Sequence, residues 1–163
     1  MRRFLDGLYQ TSGVFAAVAL AAIAVLVLSQ TLGRLLGVLV PSANELAGYC
    51  VAASAFLGLA PTLNDGGHIR VRLVADHVPP AVGWWLEAFC LAVGTGLAIF
   101  AAWYAVDLVV GSYRYGDVSP GLLAIPLWIP QTAMAAGLVI FAVSLIDNLL
   151  TLLRGGSPAY GEH

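Results

Sequence analysis

Four long blocks of this 163-residue chain, residues 7–33, 46–64, 88–106 and 118–146, contain no Asp, Glu, Lys or Arg. A bilayer's hydrocarbon core takes roughly 20 apolar residues of helix to cross. One ionised side chain at mid-membrane costs about 2.5–3.5 kcal/mol even on the lenient insertion scale. A soluble protein has no reason to clear charge over blocks of this length. The pattern predicts an all-α integral membrane protein, with four transmembrane helices and short interfacial helices. The expected spans are about 13–30, 45–63, 82–110 and 128–149, within a single membrane domain over 1–154. Residues 155–163 read as a disordered tail.

Composition supports this. Only 10% of residues are charged and 60% are hydrophobic, where soluble domains carry about 25% charge. The net charge of −2 and the lack of lysine leave no basic surface for nucleic acid. Arg2 and Arg3 before an apolar run resemble a signal peptide. The run from Val14 to Leu28 is long, however, and Ser29-Gln30-Thr31 makes no small-x-small cleavage site, so an uncleaved first span is expected. Cys50 and Cys90 lie in different uncharged blocks, at opposite depths if the second span descends and the third returns. A disulfide needs Cα atoms within about 7 Å, so they are expected to stay unpaired, as buried thiols.

Short loops rich in arginine mark the cytoplasmic side. With the N-terminus inside, the inner segments hold Arg2, Arg3, Arg70, Arg72 and Arg154, and the outer segments only Arg34 and Arg114. Five against two predicts both ends inside. Trp84 and Trp85 then belong to the inner interface, and Trp103 and Tyr104 to the outer end of the third span.

Between the first two spans, Leu35 to Val40 is apolar but too short to cross, and reads as interfacial. Ser42 and Glu45 have the spacing of a capping box at the start of the second span. Pro61 is expected to bend that span's inner end. Residues 68–78 mix apolar residues with His68, Arg70, Arg72, Asp76 and His77, which suits a short helix lying on the cytoplasmic interface. Pro120, Pro126 and Pro130 make the approach to the fourth span irregular, re-entrant or interfacial. Small residues along the second span and at Gly94-Thr95-Gly96 of the third allow close helix contact, either within this chain or with a partner.

No expected span carries an ionisable residue near its centre, the usual mark of a proton relay or ion path. Thr95, Gln131 and Thr132 are the polar residues nearest mid-membrane, and interhelical hydrogen bonds are their simplest use. His68 and His77 share one segment, whereas haem ligation wants histidines on facing helices. Neither a catalytic, a metal nor a cofactor site is expected. Candidate partner or lipid contacts lie at the span ends. They are Glu45, which also suits local capping, then His68, Arg70 and Arg72, with Glu87 across the inner interface as a possible pair. On the outer face they are Arg34, Tyr113, Arg114 and Asp117.

Several motifs resemble a known family. Asn44-Glu45, Tyr49, Phe56-Leu57-Gly58, then Gly67-His68-Ile69-Arg70-Val71 before Val78-Pro79, are similar to the small permease (DctQ) family of tripartite ATP-independent periplasmic (TRAP) transporters. The stretch Ser119 to Pro130, reading SPGLLAIPLWIP, resembles the same family. The chain departs from the family pattern at Arg72, where an acidic residue often stands. It departs again at Leu46 to Gly48, where a second acidic residue and an arginine often follow. The resemblance implies a multi-pass protein of the bacterial inner membrane that scaffolds a large permease subunit (DctM type). That subunit would hold the sodium and substrate sites, and a periplasmic substrate-binding protein (DctP type) would deliver an organic acid. Membrane lipids are the remaining partners, and no cofactor is expected in this chain. Two other readings fit a small four-span protein: a membrane anchor subunit of a redox enzyme, with His68 and His77 on haem, and a self-sufficient small dimeric transporter.

Overall fold

In the computed structural model, which describes residues 2–65 and 80–155, helices carry most of the described residues. They are α1 (Arg2–Leu35), α2 (Ala43–Leu57), α3 (Leu59–Asn64), α4 (Pro80–Tyr115) and α5 (Trp128–Leu153). Among the described residues, four stretches are long and apolar enough to cross a membrane: Leu5–Leu35, Ala43–Asn64, Val82–Tyr115 and Trp128–Leu153. The second is α2 and α3 in series. The expected helix over 68–78, and the tail beyond residue 155, lie outside the described residues.

Glycines end the two longest helices. Gly37 has φ 72 and Gly116 has φ 67, a left-handed conformation that costs glycine nothing. After α1, the Val38 N–H reaches back to the Gly33 carbonyl at 2.8 Å; after α4, the Asp117 N–H reaches the Ser112 carbonyl at 3.0 Å. Both are the six-to-one bond that closes a helix C-terminus. The 36–42 connection is a pair of turns around a short non-helical run.

Near Pro61, where a bend is expected, the helix is interrupted for one residue at Gly58, which keeps helical φ and ψ. Proline lacks the N–H that would bond to the Leu57 carbonyl. The helix therefore stops at Leu57 and restarts at Leu59. Ser12 of α1 donates to the stranded Leu57 carbonyl at 2.6 Å.

The helices stand in an open row. α5 packs along α4 on one side and along α2 and α3 on the other; α1 packs on α2 and α3 and barely reaches α5. α1 and α4 are thus the edges. On α4 the buried residues are Ala88, Leu91, Thr95, Ala98, Ala102, Ala105 and Ser112. Spacings of three and four alternate from Ala88 to Ala105, with Ser112 one heptad further, the 3.5-residue seam of a two-helix contact, and most of its residues are small enough for close approach. Ala142, Leu145 and Leu152 of α5 join Leu63, Ala88, Leu91 and Ala98 in the core cluster. Gly137, Ser144 and Asn148 look the other way, to α2 and α3.

Within this chain, two packing expectations are not met. Only Thr95 of Gly94-Thr95-Gly96 faces the bundle; a Cβ on Gly94 or Gly96 would meet nothing within 4 Å. A close approach between helices falls instead at Gly137, where a Cβ would sit 2.5 Å from the Phe56 backbone. Nor do the mid-span threonines bond between helices. Thr95 donates to the Leu91 carbonyl and Thr132 to the Ile129 carbonyl, each within its own helix. In an apolar surround the nearest acceptor is the preceding turn, and a short hydroxyl reaches it without a partner. The Gln131 Oε1 is buried without a hydrogen-bond partner among the described residues. Cys50 and Cys90 are free, as expected, but Cys90 is exposed and Cys50 only half-buried. In an open row, helix faces that a closed bundle would cover meet the surround instead.

Candidate functional site

Polar side chains gather at the two ends of the row. At the end where α2 begins, the capping box is not formed. Ser42 has φ 54 and makes no side-chain bond to the first turn of α2. In that left-handed conformation its carbonyl still accepts from the Leu46 N–H at 3.0 Å. Glu45 turns away from the helix start, and the Tyr49 hydroxyl, one turn on, donates to its Oε1 at 2.8 Å. Its Oε2 lies against Gly121 of the α4–α5 loop, with the Ser119 and Ser42 side chains beside the same carboxylate. Oε2 is buried and has no hydrogen-bond partner among the described residues.

The loop over this carboxylate is irregular, as its prolines suggest, but ordered by its own hydrogen bonds. The Ser119 N–H donates to the Ile125 carbonyl at 2.8 Å, and the Ile125 N–H donates to the Ser119 Oγ at 3.2 Å. The Leu127 N–H donates to the Asp117 carbonyl at 2.9 Å. Ala124 takes φ 43 to close the bend. Pro130 falls in the first turn of α5, where its missing N–H has no helical partner to lose.

At the opposite end, three side chains link α3 to α5. Asn64 Oδ1 accepts from the Ser144 Oγ and from the Asn148 Nδ2, both at 3.3 Å. Asn148 also donates to the Ser144 carbonyl at 2.9 Å. Ser144 is 0% and Asn148 2% exposed, so this is a buried polar link between spans.

The residues singled out from sequence are dispersed. Glu45 sits under the loop just described. Arg34 is exposed in the last turn of α1 and, with Gln30 and residues 37–40, rims a shallow depression of about 260 Å³. Tyr113 is exposed yet packs edge-on against Trp128, ring centroids 5.8 Å apart, bracing the start of α5. Arg114 and Asp117 are exposed near it, and Glu87 is half-buried near the start of α4, on the other end of the molecule. His68, Arg70 and Arg72 lie outside the described residues, so the Arg–Glu87 pairing does too. Among the described residues no group of three His, Cys, Asp or Glu could hold a metal ion.

Sequence reasoning missed Ser12, Asn64, Ser144 and Gly137. A signal existed for the amides, since Asn64 and Asn148 close otherwise apolar helices. Nothing in the local sequence marks Ser12 as the donor that Leu57 needs.

These elements can be set against known families. The family described as "Tripartite ATP-independent periplasmic transporters, DctQ component" matches residues 23–155, from the middle of α1 through the end of α5. The chain belongs to the DctQ family. The match takes in the Glu45 loop contact and the Asn64 link alike. The chain is also similar to the isethionate TRAP transporter permease protein DctMQ of Oleidesulfovibrio alaskensis. The two are 24% identical over 150 residues, covering 86% of this chain and 23% of the relative. The chain thus spans less than a quarter of that relative's length. As a DctQ component with four apolar spans, it is a multi-pass membrane protein and a TRAP permease component.

Proposed function

We propose that this chain is the non-catalytic scaffold for a large DctM-type permease subunit, in sodium-coupled, binding-protein-dependent uptake of an organic acid. The observation that carries the reading is the DctQ match over residues 23–155. It is supported by a relative whose printed name joins DctM and DctQ and whose length is mostly outside the match. The open row of helices fits the role. Its edge helices present large apolar side chains outward, among them Phe15 and Val18 of α1 and Leu97, Phe100 and Trp103 of α4. A scaffold needs such faces for lipid and a second subunit. The mid-span hydroxyls are engaged by their own helices, whereas a charged substrate needs fixed polar partners at mid-depth. The inner membrane, with both chain ends cytoplasmic, is the location that the arginine distribution favours.

Reconstitution tests the proposal. The chain alone in vesicles, under a sodium gradient and with a binding protein supplied, is expected to give no uptake. Adding a DctM-type subunit should give a stable copurifying complex and uptake. The relative's printed name makes isethionate the first organic acid to assay. Robust uptake by the chain alone would overturn the scaffold role.

A further inference from the structure

At the end of the row where α1 begins and α3 and α5 finish, the helices diverge around a cavity of about 650 Å³. Asp6 and Tyr9 of α1, Asn64 and Asp65 at the end of α3, and Asp147 and Asn148 of α5 supply much of its polar wall. Its described lining contains three carboxylates and no basic residue. Like charges around one volume repel, and a bound cation relieves them. A bare metal ion does not fit: the volume is far larger than an ion, and no three described acidic, His or Cys groups are placed to ligate one. The charge pattern asks for an organic cation.

Two further features narrow the ligand. Tyr9 is only 6% exposed; its hydroxyl lies beside the Ser144 side chain but makes no hydrogen bond of ordinary geometry among the described residues, and neither does the Asn64 amide nitrogen. Buried donors left without acceptors are uncommon and call for a cause. The Asn64 Oδ1 is already engaged by Ser144 and Asn148, so its amide nitrogen is the half left over. Donors next to carboxylates suit a ligand bearing both signs. The second feature is the rest of the lining, in which Val14, Ala17 and Pro61 continue the wall along the apolar part of the spans. Asp147 follows the last uncharged block, which sets the polar part of the cavity at headgroup level.

We propose that this cavity binds a zwitterionic aminophospholipid. Its ammonium would lie among Asp6, Asp65 and Asp147, its phosphoryl oxygens toward Tyr9 and Asn64, and the start of its chains along Val14 and Ala17. The described lining belongs to this chain alone, so the proposal does not depend on the transporter pairing.

The full chain, purified alone, is placed in nanodiscs of equal phosphatidylethanolamine and phosphatidylglycerol. It is then extracted, and the retained lipid is measured by mass spectrometry. Phosphatidylethanolamine should be retained over phosphatidylglycerol by about tenfold, the effect of a charge-assisted contact. Phosphatidylcholine, whose ammonium has no N–H, should lose most of that advantage. The D65N/D147N variant should retain the two lipids about equally. A Val14→Trp variant, which fills the apolar throat and keeps the carboxylates, should lose retained lipid of both kinds, so the proposal stays testable if the double variant misfolds. Soluble glycerophosphoethanolamine at millimolar concentration should not displace the lipid. Preference for phosphatidylglycerol, equal retention of phosphatidylcholine, or unchanged selectivity in a folded D65N/D147N variant would overturn the proposal. Displacement by the soluble headgroup would overturn the membrane source of the ligand.

Discussion

The Ser12 hydroxyl of α1 donates a 2.6 Å hydrogen bond to the Leu57 carbonyl of α2, the acceptor that Pro61 leaves without its helical donor. One proline, forty-nine positions away along the chain, thereby gives Ser12 its role. The bond joins an edge helix to the second span at the point where that span breaks. In an apolar surround an unfilled carbonyl has no water to turn to.

Ser12→Ala should therefore destabilise the chain by about 1 kcal/mol, near the usual range for a hydrogen bond between membrane helices. The loss should shrink in a Pro61→Ala background, where residue 61 regains an N–H for Leu57. Unfolding equilibria in mixed micelles for the four proteins of this cycle give the answer. Equal losses in both backgrounds would show that Ser12 does not serve that carbonyl.

Gly137→Ala should be costly. The added Cβ would sit 2.5 Å from the Phe56 backbone, so α2 and α5 must separate. Overpacking of this kind costs about 1–3 kcal/mol. Gly94→Ala adds a methyl that meets nothing within 4 Å and should be neutral or gain up to about 1 kcal/mol from helix propensity. The same unfolding assay ranks them, and a Gly94 variant less stable than the Gly137 variant contradicts the packing described.

Glu45 is expected to hold the loop between α4 and α5. Glu45→Gln, Tyr49→Phe and Gly121→Ala should each loosen it, the last by pushing the carboxylate from its place against Gly121. Amide exchange of Ser119, Ile125 and Leu127, whose N–H groups are all bonded within the loop, should quicken. Protection equal to the parent chain would mean that the loop stands without Glu45.

For orientation, the arginine distribution and the even number of spans give one expectation. Cysteines introduced at Leu36 and Tyr115 should react with an impermeant reagent from outside the cell, and one at Arg154 only after permeabilisation. Labelling at Arg154 in intact cells would reverse the topology.

Much of the helix pattern was legible because its cause is local. Clearing charge from a helix long enough to span is a property of consecutive residues, as is a proline that removes an N–H. The DctQ resemblance was legible too, since motifs such as SPGLLAIPLWIP are contiguous.

What sequence could not give is which side chain meets which across the row. Ser42 and Glu45 have capping-box spacing, yet Glu45 turns to Tyr49 and to a loop seventy-six positions on, because the left-handed Ser42 and the overlying Gly121 are set by tertiary contacts. Gly94 and Gly96 look like a packing face, while Gly137 alone of the three touches a neighbour, because helix rotation depends on the whole seam from Ala88 to Ser112. The acidic cavity arises where α1 parts from α5, bringing Asp6, Asp65 and Asp147 together from three separate segments. Span count and helix ends follow from local chemistry and solvent. The open row and its two polar ends follow from helix rotation and pairing, which only the packed tertiary structure decides.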